Sequence, residues 1–137
     1  MANVLVVANR TAECEELQQA LKDRASKGGD VKFPLVVPAA HGLAKAANPD
    51  EGFPEAQHHV DNAVARLRDA GLDVEGRLGD PDPVAAVLDA HNAGRYDEVI
   101  VSTLPTHLSK WLHLDLPRKA GHATGLPVTH VVGSEAD

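Results

Sequence analysis

Four side-chain hydroxyls lie within eight residues of one another, directly after the apolar run at residues 99–101. One imidazole and one ammonium group stand beside them, and the whole set comprises Ser102, Thr103, Thr106, His107, Ser109 and Lys110. Each hydroxyl can donate one hydrogen bond and the ammonium adds positive charge, so together they could hold a phosphate or a carboxylate. The alternative interpretation is that the hydroxyls cap a following helix and satisfy backbone groups.

Polar residues also follow two other apolar runs, at residues 4–8 and 33–37. If these runs are strands of one open parallel sheet, ligands should bind beyond their carboxyl ends. The predicted ligand-binding residues are therefore the six above together with Asn9, Arg10, Thr11, Pro38 and His41. Residues 39–53 form a longer connection than is usual, which is interpreted either as a lid or as an insertion that packs a short helix.

The eight histidines raise the question of a metal site or a catalytic site. His58 and His59 are adjacent, and adjacent side chains on a helix point about 100° apart, so they do not easily share one ion. We predict no metal site. A Ser102, His107 and Asp97 triad has the right residue types, but nothing in the sequence fixes its geometry. A small enzyme with His107 or His41 as acid/base group, acting on a nucleotide or a phosphorylated metabolite, is one alternative function.

Length and composition indicate one globular domain. The 137 residues are 43% apolar and 24% charged, which is ordinary for a folded domain. No apolar run approaches the roughly 20 residues that a membrane-spanning helix needs, and no basic and apolar leader opens the chain, so we expect no membrane partner and a cytoplasmic protein. The single cysteine, Cys14, makes an internal disulfide impossible and is interpreted as a small core residue.

The formal charge of −7 argues against a nucleic-acid partner, because nucleic-acid phosphates would be repelled. Residues 104–131 depart from this average: they carry +2, whereas the remainder carries −9. This segment is interpreted either as a solvated helical region with few acids or as a region that attracts anions.

Apolar runs alternate with segments of helical periodicity along the whole chain. Strands are predicted at residues 4–8, 33–37, 72–78, 99–101 and 128–132, with the third at a sheet edge. Pro34 favours an early or irregular position in its strand over a central one, and Asp82 is predicted to cap the helix that Pro83 begins. The alternation predicts a three-layer αβα fold with a parallel sheet, as a single domain over residues 1–133 and a frayed C-terminus at 134–137.

Three segments resemble the universal stress protein family of the adenine-nucleotide α-hydrolase-like superfamily. They are residues 3–11 as first strand and turn, then Gly79-Asp80-Pro81 before a helix, then residues 96–101 combined with the closing Gly125-Leu126-Pro127-Val128. The resemblance implies a Rossmann-like sheet of five parallel strands in the order 3-2-1-4-5. It also implies a role in stress response and a homodimer formed through the last strand.

The ATP-binding members of that family carry a glycine signature after strand four, Gly-x2-Gly-x9-Gly-Ser/Thr. Aligned from Ser102 without gaps, its four places hold Ser102, Pro105, Asp115 and Leu116. Pro105 has no N–H to offer a phosphate, and Asp115 would add negative charge near it. The family's aspartate after strand one is matched by Asn9. The family's mode of ATP binding is therefore predicted to be lost.

The family resemblance, together with the departures from the family's ATP-binding residues, predicts a non-catalytic, homodimeric module similar to the universal stress proteins. Its ligand would be a nucleotide such as ATP or AMP, or another small anion, in a remodelled pocket at the residues named above. Besides the small enzyme, the second alternative is a ligand-free interaction protein whose contact is the apolar segment at residues 111–116.

Overall fold

A computed structural model describes residues 2–8, 14–27, 30–38, 52–79, 82–103 and 115–133. Strands and helices alternate along these ranges, which confirms the predicted α/β class. In chain order they are β1 (Ala2–Val7), α1 (Glu15–Ala25), β2 (Val31–Pro38), α2 (Gly52–Asp69), β3 (Asp73–Gly79), α3 (Pro83–Ala93), β4 (Glu98–Thr103), α4 (Leu116–Thr124) and β5 (Val128–Val132). None of these helices combines the length and the apolar character that crossing a bilayer requires.

The five strands form one parallel sheet in the order β3-β2-β1-β4-β5. This confirms the predicted order and the edge position of the third strand. Pro34, however, lies in the interior strand β2, between β1 and β3. The β1–β2 pairing passes from Asn3 with Lys32 directly to Val6 with Leu35. The ladder therefore skips the positions around Pro34, which has no N–H to donate.

Apolar residues fill both faces of the sheet. Val4 and Val6 of β1 belong to the core cluster under α1 and α2, while Leu5 and Val7 belong to the cluster under α3 and α4. Successive side chains of a strand point to opposite faces. A strand covered on both faces therefore needs an unbroken apolar run, which is the pattern that identified β1 in the sequence.

Helix α3 packs closely against the sheet at the end of β3. Gly79 ends β3, and a Cβ there would lie 3.0 Å from the Cβ of Ala86 on α3. The Val84 N–H donates to the Asp82 side chain at 3.0 Å, so Asp82 caps α3 as predicted. Helix α2 begins at Gly52, so Pro54 lies in its first turn, where the missing N–H of a proline is tolerated.

Candidate functional site

Strands β1 and β4 end side by side at the carboxyl edge of the sheet. They are parallel neighbours, with Val4 opposite Glu98 and Val7 opposite Val101. The Ala8 N–H continues β1 by donating to the Val36 carbonyl of β2 at 3.2 Å. The chain segments that follow β1 and β4 therefore depart from adjacent points, as the site prediction required.

Ser102 and Thr103 are the last two residues of β4, whereas the sequence predicted them to follow the strand. They pair with Val131 and Val132 of β5 and are only 1% and 2% exposed. Alternation places the Ser102 side chain on the α1 face of the sheet and that of Thr103 on the α4 face. The two hydroxyls thus lie at the predicted edge but on opposite sides of it.

Thr103 pairs with a histidine that the sequence analysis did not single out as a site residue. Its Oγ1 lies 2.7 Å from Nε2 of His130 on β5, and which of the two atoms donates depends on the imidazole tautomer. Burial lowers the pKa of His130 below its ordinary value of 6.5, because the charged form loses solvation. The sequence did contain an indication that His130 could face this side of the sheet. Side chains alternate along β5, so His130 lies on the same face as Val128 and Val132.

Pro38 is the last residue of β2 and pairs with Gly79 of β3, so it reaches the same edge as β1 and β4. Strand β1 separates it from Ser102. The remaining predicted ligand-binding residues lie outside the described residues: Asn9, Arg10, Thr11, His41, Thr106, His107, Ser109 and Lys110.

The triad drawn from Ser102, His107 and Asp97 is wrong. Asp97 precedes β4 at the amino edge of the sheet, where its carboxylate accepts the Asn3 N–H at 2.8 Å. Ser102 lies near the opposite end of the strand, about 16 Å away at roughly 3.3 Å per residue. These two side chains cannot share one histidine. Within the described ranges no group of three or more His, Cys, Asp or Glu side chains is placed to hold a metal ion.

No protein-family model and no curated protein matches the sequence. Solved structures do match the fold. A universal stress protein from Archaeoglobus fulgidus has a TM-score of 0.66 and 17% identity, over 96% of this chain and 93% of that one. The universal stress protein from Archaeoglobus fulgidus in complex with dAMP has a TM-score of 0.63 and 18% identity, over 96% of this chain and 97% of that one. A universal stress protein family protein from Arabidopsis thaliana with AMP bound has a TM-score of 0.63 and 14% identity, over 97% of this chain and 92% of that one.

These likenesses extend over nearly the whole of each chain, so the Rossmann-like fold of universal stress proteins is the fold of this chain. At such identities the likeness establishes the architecture alone.

Proposed function

We propose that this chain is a divergent member of the universal stress protein family that binds an adenine nucleotide, or a similar small anion, without catalysing a reaction on it. The observation that carries the proposal is the parallel pairing of β1 with β4, which brings the segments after both strands to one edge of the sheet. Ligands of open α/β sheets bind at such an edge. The proposal is supported by solved structures of the same fold that carry dAMP and AMP.

The chemistry of the proposed pocket would differ from a glycine-rich loop. Ser102 and Thr103 are almost wholly buried, so they would fix the end of β4 beneath the ligand. The direct contacts would come from the hydroxyls of Thr106 and Ser109 and from the positive charge of Lys110. Arg10, after β1, would approach the anion from the neighbouring strand. Hydroxyls and cations donate hydrogen bonds that strengthen when the acceptor is charged.

Titration calorimetry with AMP, dAMP and ATP tests the ligand. Arg10→Gln and Lys110→Gln should each weaken nucleotide binding by about tenfold to a hundredfold, since a lost charge-assisted hydrogen bond is worth about 1.5–3 kcal/mol. Lys32→Gln is the matched control, because exposed Lys32 lies near the start of β2, at the opposite edge of the sheet. Absence of heat with every nucleotide and with inorganic phosphate at millimolar concentration would refute ligand binding, and an equal effect of Lys32→Gln would refute the location.

The proposed assembly is a homodimer through β5. Of the two edge strands, β3 presents the charged side chains Asp73, Glu75 and Arg77, all exposed. Charges on an edge strand oppose pairing with another chain. The β5 sequence Val-Thr-His-Val-Val has no permanent charge, and Val132 is 48% exposed. An uncharged edge with exposed valine favours association through this strand.

Sedimentation velocity tests the dimer. Val132→Lys should shift the protein to monomer, because the two introduced lysines, one from each protomer, would repel each other across the β5–β5 interface. Leu88→Lys is the control, since Leu88 on α3 is also an exposed apolar residue, at 36%. A wild-type protein that sediments as a monomer, or a dimer insensitive to Val132→Lys, would contradict the assignment of this edge.

A further inference from the structure

A second concave surface lies on the helical layer formed by α3 and α4. It is a cleft of about 570 Å³, and its lining residues are Val84, Asp115, Arg118, Lys119, His122 and Ala123. One side is the first turn of α3, and the other is a face of α4 whose members recur at helical spacing. Among the described residues, Pro38, Ser102, Thr103 and the strand β5 do not contribute to this lining. The cleft is shallow and largely open to solvent, so a small ligand would lie against its lining and would not be enclosed by it.

The α4 side of the cleft carries the positive charge. A nitrogen of Arg118 lies 3.7 Å from a carboxylate oxygen of Asp115, but the two side chains are 74% and 57% exposed. Such solvated pairs are weak, so an incoming anion can compete for the guanidinium. Within the described part of the chain, Lys119 forms no ion pair. Cationic groups next to a concave surface raise the local concentration of anions.

The other property of the cleft is its apolar floor. Val84 and Ala123 are each half-buried and expose hydrocarbon between the charged side chains. A ligand that covers these groups gains by removing apolar surface from water. A wholly polar anion would leave the apolar surface of Val84 and Ala123 exposed to water. A neutral hydrocarbon would leave Arg118 and Lys119 without an anionic ligand. The lining therefore matches a molecule with one anionic end and one apolar end.

The cleft also accounts for the unusual charge of residues 104–131. That segment holds three cations, Lys110, Arg118 and Lys119, in a chain whose formal charge is −7. Two of the three line the cleft. Asp115, the only acid of the segment, lines the cleft as well, so a net formal charge of +1, half of the segment's +2, is located there.

We propose that the α3–α4 cleft binds a small amphipathic anion, with its carboxylate, sulfonate or phosphate group at Arg118 and Lys119 and its apolar part on Val84 and Ala123. The side chains proposed to hold this anion are not those proposed to hold the nucleotide, although the cleft is lined in part by Asp115, which occupies one of the family's signature places.

Fluorescence titration with 1-anilinonaphthalene-8-sulfonate tests the proposal, because this probe has a sulfonate and an apolar ring system. Binding should saturate at one site per chain, and octanoate should displace the probe. The double variant Arg118→Glu/Lys119→Glu should weaken binding about tenfold or more, and Lys119→Arg should retain it. Lys119→Glu and Lys32→Glu are the charge-matched pair, since each changes one exposed lysine and Lys32 lies on β2; Lys119→Glu should weaken binding and Lys32→Glu should not. Heteronuclear NMR should place the largest amide shifts at residues 84 and 115–123.

Three results would overturn the proposal. Loss of binding in Lys32→Glu equal to that in the double variant would mean a general response to net charge. Displacement of the probe by AMP would place it in the nucleotide pocket. Unchanged affinity in the double variant, with its circular dichroism spectrum intact, would remove the cations from the site. Failure of AMP to bind at all would contradict the nucleotide proposal and leave this one standing.

Discussion

Replacing Gly79 by alanine tests whether the close approach of α3 to β3 demands a glycine. Gly79 is the first residue of the Gly79-Asp80-Pro81 segment on which the family resemblance partly rested. An added Cβ would lie 2.7 Å from Cγ1 of Val36 and 3.0 Å from Cβ of Ala86. Val36 and Ala86 are 2% and 1% exposed, so both belong to the packed interior. Neither is the end of a flexible side chain that could move aside.

The magnitude follows from the size of the clash. Carbon atoms in contact normally lie about 3.5–4.0 Å apart, so the neighbours must move by about 1 Å. Overpacking of this kind costs about 1–3 kcal/mol. Alanine offsets part of that cost, because it restricts the unfolded chain by about 0.4–1 kcal/mol. We expect Gly79→Ala to lower the free energy of unfolding by about 1–2 kcal/mol.

Urea denaturation followed by circular dichroism measures this free energy. With a slope of about 2 kcal/mol per molar urea, in the middle of the usual range, the transition midpoint should fall by roughly half a molar to one molar. Val36→Ala removes the nearest methyl group, so the double variant Gly79→Ala/Val36→Ala should be destabilised less than the sum of the single variants. Gly121→Ala is the control of opposite sign: its added Cβ would meet nothing closer than 3.5 Å, inside helix α4. It should stabilise by about 0.5–1 kcal/mol. A neutral Gly79→Ala, or strict additivity with Val36→Ala, would refute the steric argument.

Three further outcomes are expected. Gly76→Ala should destabilise more than Gly79→Ala in the same assay, because its Cβ would lie 2.5 Å from Val64 Cγ2 and 2.7 Å from Val60 Cγ1. Asp82→Ala should cost about 1 kcal/mol by removing the cap of α3, and Asp82→Asn should restore most of it. Burial lowers the pKa of His130 below 6.5, so the folded protein binds fewer protons there than the unfolded chain. The free energy of unfolding should therefore fall as pH drops through 6.5 and level off below the folded-state pKa. His130→Gln should reduce this pH dependence of the unfolding free energy, as measured by urea denaturation at each pH.

The strands and helices could be predicted from the sequence because each depends on a local pattern of apolar and capping residues. Unbroken apolar runs identified β1, β2 and β4, since the middle of a strand buried on both faces is predominantly apolar. The cap of α3 was predictable because Asp82 and Pro83 each have one strong positional preference. The strand order came from the family resemblance, since periodicity alone does not determine which strands become neighbours.

The site was harder to predict because it depends on contacts between distant segments. The pairing of Thr103 with His130 joins residues 27 positions apart, and no local pattern encodes such a contact. The length of β4 was also underestimated. Serine and threonine are common at strand ends and in the loops after them, so composition could not decide that Ser102 and Thr103 still belong to the strand.

Glycines that serve packing and glycines that serve a ligand are under different physical constraints, and this chain separates the two. Gly76 and Gly79 face side chains of their own domain at distances too short for an unshifted Cβ, so replacing them destabilises the folded chain whether or not a ligand is bound. Glycines that present backbone N–H groups to a phosphate are required only while that phosphate is bound. The chain keeps the first kind, while the family's signature places hold Ser102, Pro105, Asp115 and Leu116. A protein can therefore retain this fold without the glycine signature, so nucleotide binding does not follow from the architecture and has to be measured directly.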